Sequence, residues 1–406
     1  MIFKSINRLE SKAEKSFCME QMQVYIRLVE VYCEKNNLKF LSEKSDKYND
    51  ELMDIGIIEN PDEINDLIEF AGMLYEKFEV AVNFAIANKE QIGDLLDNLY
   101  NSKRKEAQEK ADKEKQLTLV DFFCGAGGLS LRFLQEGFHV KLANDIEDVC
   151  IQTYKYNHPE LPSDKLIQGD IKEIVDHIDE YISDDIDIVV GGPPCQGFSE
   201  ANRQRVIDDP RNKLYKYFVK AVEAITPKVV VMENVKGMLK VANQVVEDYE
   251  RLRVKKDGQE YSYRVSYQIL NSQDFSVAQS RERLIYIAIR NDVMLEKNIT
   301  PEKIFAQIRN NCDGNQRFML ADALRDIKPL EAPRIKNMNE VDSDLTGKKI
   351  DINQYDNNDN KYLNLINQNR KIPYVFNHKA RYCSDVNYEI YRRLNPGDDA
   401  TDDKIK

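Results

Sequence analysis

The 406-residue sequence has no run of ~18 consecutive apolar residues, which excludes an ordinary membrane-spanning helix. Its N-terminus, MIFKSINRLESKAEK, lacks the apolar core of a secretory signal. No CxxC occurs. The seven cysteines stand singly at positions 18, 33, 124, 150, 195, 312 and 383, and the four histidines are far apart. No zinc-ligand spacing is recognisable, and scattered thiols in odd number are expected of a reduced, cytoplasmic chain. An excess of positive charge is also lacking. Lys and Arg number 58 against 70 Asp and Glu, a formal net charge of −12. That excludes a uniformly basic nucleic-acid coat but leaves room for a locally basic cleft. With 16 Gly, 12 Pro and 42% hydrophobic residues the chain is neither collagen-like nor disordered, and its length suits two or three domains. There is no internal repeat.

Residues 1–116 read as helical and acidic, with 17 Lys and Arg against 24 Asp and Glu. Asn60, Pro61 and Glu63 form a helix-start signal, followed by Ile64, Leu67, Ile68, Ala71, Leu74, Phe78 and Phe84 at helical spacing. A second helix is predicted over Met19–Lys35. Lys103–Gln116 is charged, alternates in sign and reads as an exposed helical linker. At Leu117 the texture changes. LTLVDFF (117–123), FHVKLAN (138–144), KLIQG (165–169), IDIVVGG (186–192) and KVVVMEN (228–234) are short apolar runs. They alternate with helical patterns at 129–136, 146–156, 171–182 and 212–225. Alternating strands and helices predict a parallel, doubly wound α/β sheet, closed by SYRVSYQIL (262–270) and RLIYIAI (283–289). From about Leu330 the alternation dissolves, and NMNEVDSDLTGKKIDINQYDNNDNKY (337–362) is polar and loop-like.

Four short segments carry chemistry. The first is Asp121-Phe122-Phe123-Cys124-Gly125-Ala126-Gly127-Gly128, a glycine-rich strand-to-helix turn that lets a ligand approach the backbone. Asp145 stands twenty residues past Gly125, where an acid accepts hydrogen bonds from ribose, and Asp170 follows the third strand, where it could meet an adenine edge. By itself this pattern fits a nucleoside cofactor, a dinucleotide or a plain turn, and it lacks the spacing of GxGxxG and GxxxxGKS. The second segment is Gly191-Gly192-Pro193-Pro194-Cys195-Gln196-Gly197-Phe198-Ser199. Two prolines before a cysteine, with small residues around it, present a candidate nucleophilic thiol; a buried turn cysteine is the plainer alternative. The third is Glu233-Asn234-Val235, a carboxylate at the end of a strand that also reads as a helix cap. The fourth is Gln279-Ser280-Arg281-Glu282-Arg283, whose two arginines alternate onto one face and could equally be solvated.

In this order the four segments FFCGAGG, GGPPCQGFS, ENV and QSRER resemble the cytosine-C5 DNA methyltransferases over about residues 117–330. Asp209-Pro210-Arg211 and Leu214 resemble the stretch after that family's catalytic loop, and NHKAR (377–381) its approach to the target-recognition region. The resemblance implies an S-adenosylmethionine-dependent methyltransferase fold, a Rossmann-like parallel sheet, here preceded by the N-terminal helical domain. It implies Cys195 as the nucleophile toward cytosine C6, with Glu233, Arg281 and Arg283 holding and polarising the flipped base. It implies Phe123, Gly125, Gly127, Gly128, Asp145, Asp170, Ile171 and Pro193 around the cofactor, and no metal. Double-stranded DNA is the implied partner, in a restriction–modification setting; an enzyme acting on tRNA cytosine and a non-catalytic subunit are the alternatives. Asp145 stands where the family usually has Glu, and Cys124 where it often has Ala. The family's later motifs do not follow NHKAR. The expected domains are therefore 1–116, 117–330 and an incomplete recognition region at 331–406, as in a split subunit completed by a second polypeptide, a truncated gene or a fragment.

Overall fold

A computed structural model describes residues 3–89, 92, 117–158, 161–194, 213–256, 258–312, 314–336, 342–352, 360–367, 374–395 and 398. The predicted linker at 103–116, the segment Cys195–Ser199 and Asp209-Pro210-Arg211 lie outside the described residues. The chain divides into two compact units, one of residues 98–319 and one that joins residues 1–97 with 320–406.

The 98–319 unit is built on a seven-stranded sheet. Its strands are β1 (Thr118–Phe122), β2 (His139–Asp145), β3 (Leu166–Gln168), β4 (Ile188–Gly191), β5 (Val229–Val235), β8 (Tyr263–Asn271) and β9 (Glu282–Arg290), in the order β3-β2-β1-β4-β5-β9-β8. The first five run parallel, and β9 and β8 join antiparallel. Each predicted strand is present within two residues of its expected bounds, because strands covered on both faces read as near-continuous apolar runs. A short hairpin, β6 (Val254–Lys256) and β7 (Gln259–Tyr261), was not legible, since VKKDGQEY has no apolar run.

Side chains on the sheet alternate between two cores. Val120 and Phe122 point into one with Phe218, Val222 and Ile171, where the rings of Phe122 and Phe218 meet edge to face at 6.4 Å. Leu119, Val140 and Val190 point into the other with Ile151 and Tyr154. A third cluster, Ile287, Ile289 and Phe305, lies under the helix Pro301–Cys312. The sheet order reverses between β1 and β4, so their carboxyl ends flank the crevice where open α/β sheets bind ligands. The helix predicted over 171–182 divides at His177 into Ile171–Asp176 and Ile178–Tyr181.

In the other unit, the helices Lys12–Lys35, Tyr48–Asp54, Ile64–Ala71 and Tyr75–Ala87 enclose a core in which Phe78 packs edge to face on Phe3 (5.8 Å) and Tyr25 (5.6 Å). The first helix begins seven residues before its predicted start. Ser11 accepts from the Glu14 N–H while Glu14 reaches back to the Ser11 N–H, a reciprocal cap. The single helix predicted from Ile64 to Phe84 is broken at Gly72, whose φ is +53°. Residues 347–352, expected as loop, form β10 (Gly347–Ile352), which pairs antiparallel with β11 (Tyr374–Lys379) in a ribbon.

Phe218 is fully buried, whereas Leu295 is 83% exposed. Phe218→Ala should lower the stability of the sheet unit by about 3–5 kcal/mol. Leu295→Ala should stay within ~0.5 kcal/mol of the parent protein. Urea unfolding followed by hydrogen exchange at the sheet amides measures both, and equal effects would contradict the packing described.

Candidate active site

The glycine turn after β1 is wound through three left-handed residues, Phe123 (φ +57°), Gly125 (φ +54°) and Gly127 (φ +85°). A left-handed Phe is uncommon and strained. It is held by what surrounds it: the Cys124 N–H donates to the Asn144 carbonyl (3.0 Å) and the Gly127 N–H to the Cys124 carbonyl (2.9 Å). At Gly127 no other residue fits, because a Cβ there would lie 2.2 Å from Nε2 of the buried His158.

Asp145, at the end of β2, ties three strand ends together. Its Oδ2 accepts from the Gly125 N–H (2.9 Å) and its Oδ1 from the Glu147 N–H (3.0 Å), while its backbone carbonyl accepts from the Gly169 N–H (3.1 Å). Asp170 caps the following helix by accepting from the Lys172 N–H (3.0 Å). Ile171 is 2% exposed and packs in the core, so its side chain offers little surface to a ligand. Beside Gly125, Gly128 and Gly169 an added Cβ would meet no atom within 4 Å. Open space along three glycines, edged by two carboxylates with free lone pairs, fits an adenosine-bearing cationic cofactor, whose ribose hydroxyls donate hydrogen bonds.

Beneath the turn lies a polar group to which the sequence reading gave no role. The Asp121 carboxyl is fully buried on the Leu119 face of β1, next to the hydroxyl of Ser130, which also meets Tyr154 Oη at 3.1 Å. Burial pushes its pKa up from the ordinary 3.8 to about 7, with the Ser130 hydroxyl opposing and Asp145 adding to the rise. Burial likewise pushes the Cys124 thiol up, so this cysteine is a poor thiolate.

At the carboxyl end of β5, Val235 stands opposite Arg283 on β9, so Glu233 and Arg283 are diagonal neighbours on one face. Arg283 Nε lies 2.6 Å from Glu233 Oε1. Burial raises the Glu233 carboxyl above its ordinary range and Arg283 pulls it back. Glu282, on the opposite face, pairs instead with Lys236 (2.7 Å). Arg281 precedes β9, with its N–H donating to Asn271 Oδ1, and its side chain is not joined to Glu233. The Glu233 end of β5 touches the second segment in two ways. Glu233 Oε2 lies 3.3 Å from where a Gly192 Cβ would be, and the Asn234 Nδ2 donates to the carbonyl of buried Pro193 (3.1 Å). The geometry thus brings together Gly192, Pro193, Glu233 and Arg283, and separately Phe123, Gly125, Asp145 and Asp170. Cys195 itself lies outside the described residues, one position beyond Pro194. The six described cysteines are all free.

Sequence reasoning missed Asn144 and Asn234 as structural ties. Asn144 is 1% exposed and its Nδ2 donates to the carbonyls of Ile167 and Gly169, both at 3.0 Å, fixing β3 to β2. The available signal was an amide at the end of each apolar run.

Known proteins resemble this chain in sequence. The profile described as C-5 cytosine-specific DNA methylase matches residues 117–404. The Type II methyltransferase M.FnuDI of Fusobacterium nucleatum is 35% identical over 232 residues, 56% of this chain and 60% of that protein. M.AquIA of Picosynechococcus sp. is 38% identical over 180 residues, covering 42% of this chain and 71% of that protein. M1.HphI of Haemophilus parahaemolyticus is 39% identical over 183 residues, covering 42% and 45%. The chain therefore spans less than two thirds of the length of the first and third of these relatives.

The buried Asp121 generates a pH prediction. Its folded pKa stands above the unfolded value, so the folded state binds its proton more tightly. The stabilisation is fully present below about pH 4 and is lost as pH rises toward about 7. Within that window the slope from one such group approaches ~1.4 kcal/mol per pH unit. Asp121→Asn should flatten the loss of stability between pH 4.5 and pH 7, at ~1 kcal/mol per unit or more. Urea midpoints across this range test it; parallel curves for the two proteins would show that Asp121 does not titrate there.

Proposed function

The chain belongs to the C-5 cytosine-specific DNA methylase family, and from that premise we propose that it transfers a methyl group from S-adenosylmethionine to C5 of cytosine within a specific DNA sequence, as a modification enzyme of the cytoplasm. The observation that carries this reading is the Glu233–Arg283 pair at the carboxyl end of β5, joined through Asn234 to the Pro193-Pro194 turn that leads into Cys195. A restriction–modification role is supported by relatives named Type II methyltransferases.

Cytosine C5 is a poor nucleophile. Addition of the Cys195 thiolate to C6 moves electron density onto C5, and loss of the C5 proton after methylation lets the thiolate leave. When bound, S-adenosylmethionine supplies an electrophilic methyl. Glu233 suits the N3 and N4 edge of the ring: its raised pKa favours holding a proton there, and Arg283 keeps the carboxyl fixed. Arg283, with Arg281 beside it in sequence, faces charge that develops on the ring. The base must leave the duplex stack to reach these groups. Around the cofactor, Asp145 serves two ends, bracing the glycine turn through Gly125 and meeting the ribose; Phe123, Gly127, Gly128 and Asp170 complete the surround. No membrane-length apolar helix occurs among the described residues. None of the described residues supports the second polypeptide expected from the sequence.

Transfer of labelled methyl to duplex DNA and to tRNA tests the reading. Methylation confined to DNA is expected; transfer to tRNA alone would replace the substrate. Glu233→Gln should lower kcat by roughly 10²–10³-fold with cofactor affinity unchanged. Asp145→Ala should weaken cofactor binding by about 1–3 kcal/mol in calorimetry. The reverse pattern would exchange the two roles.

A further inference from the structure

The N-terminal helices precede the residues that match the family and have no part in the chemistry above. One stripe of the helix Lys12–Lys35 nevertheless reaches the opposite end of the chain. Glu20, Gln23 and Arg27, three and four residues apart, share a helix face. That face differs from the one buried in the core through Cys18, Met22, Tyr25, Ile26 and Val29. Arg27 Nε donates to the backbone carbonyl of Ile350 at 3.0 Å. Its side chain is 12% exposed, and its guanidinium is held in place by Glu34 (2.7 and 3.3 Å) and Glu30 (3.2 Å). One turn earlier, Lys349 Nζ lies 3.4 Å from Glu20 Oε1 and 3.3 Å from Gln23 Oε1.

The strand so gripped, β10, has β11 as its only sheet neighbour among the described residues. A two-stranded ribbon is marginal in water without packing support. Ile350 is nonetheless 1% exposed. The ribbon also has a demanding closure: at Gly347 (φ +96°) a Cβ would stand 2.0 Å from the His378 carbonyl. β11 carries Asn377, His378 and Lys379, the beginning of the segment that the family resemblance places at the start of target recognition.

We propose that the N-terminal helical module is a positioning element for target recognition, with Arg27 and the Glu20–Gln23 acceptors fixing the β10–β11 ribbon in one geometry. Arg27 is a positioning residue and touches neither substrate nor cofactor. The recognition half of this inference rests on the proposed DNA-methylating function; the bracing half does not.

The experiment uses the full chain and the variants Arg27→Met, Arg27→Lys and Lys349→Met. Hydrogen exchange at amides 347–352 and 374–379 should quicken roughly tenfold in Arg27→Met, with the β1–β5 amides unchanged. Arg27→Lys should recover part of that protection. In steady-state methylation Arg27→Met should raise KM for DNA about fivefold or more, with kcat and cofactor affinity within about twofold of the parent. If Arg27→Met fails to fold, Lys349→Met carries the same two readouts, in the same direction and smaller. Unchanged ribbon exchange overturns the brace. Faster exchange with unchanged KM overturns the recognition role. A parent chain that methylates no DNA sinks the proposed function and the recognition role with it, while the exchange measurement still decides the brace.

Discussion

The candidate active site depends on one ion pair that the sheet itself sets in register. Pairing β9 antiparallel to β5 places Arg283 opposite Val235, and therefore diagonal to Glu233 on the same face. A one-residue slip would turn Arg283 to the other face, where Glu282 now meets Lys236. The carboxyl of Glu233 is half-buried, so without the guanidinium its charge would be poorly compensated; with it, the group is held still at the ligand edge while remaining easy to protonate. The antiparallel addition to an otherwise parallel sheet is what delivers the arginine.

A second constraint is steric. The turn after β1 carries a strained left-handed Phe123 between strands whose ends are tied by side chains, not only by the backbone ladder. Asp145 joins β2 to the turn, Asn144 joins β2 to the end of β3, and Asn234 joins β5 to the turn after β4. These three residues do in polar bonds what the apolar clusters do beneath them, and they do it at the carboxyl edge of the sheet. The buried Asp121–Ser130–Tyr154 group under the same turn shows that polarity there extends inward from the carboxyl edge of the sheet.

How much of this was legible depends on the range of the interactions. The β1–β5 strands were readable because burial on both faces leaves an uninterrupted apolar run, and the helices between them because their apolar faces recur. The candidate site segments stand out in the sequence because glycines, paired prolines and charged residues at strand ends have local backbone reasons. The early start of the first helix rests on a Ser11–Glu14 cap that precedes its apolar stripe, and the break at Gly72 on one backbone angle within an otherwise helical pattern. The β10–β11 ribbon stayed hidden because β10 lies in a polar stretch and its support, Arg27, lies 323 residues from Ile350. The sequence put Arg281 and Arg283 on one face; the structure pairs Arg283 with Glu233, and of the two only Arg283 falls within the paired length of β9. Asp121 could be read as a charge in an apolar run, but not as a group buried on both sides.

The proposed chemistry rests on the thiol of Cys195, the residue after Pro194 in the sequence. The most direct measurement is the covalent complex formed with duplex DNA containing 5-fluorocytosine in the presence of S-adenosylmethionine. There the fluorine cannot leave as a proton and the adduct persists. Digestion and mass spectrometry should place the nucleotide on the peptide that contains Cys195, and Cys195→Ala should yield no adduct. A nucleotide attached to Cys124 or any other cysteine, or methylation of ordinary DNA retained by Cys195→Ala, would contradict the account.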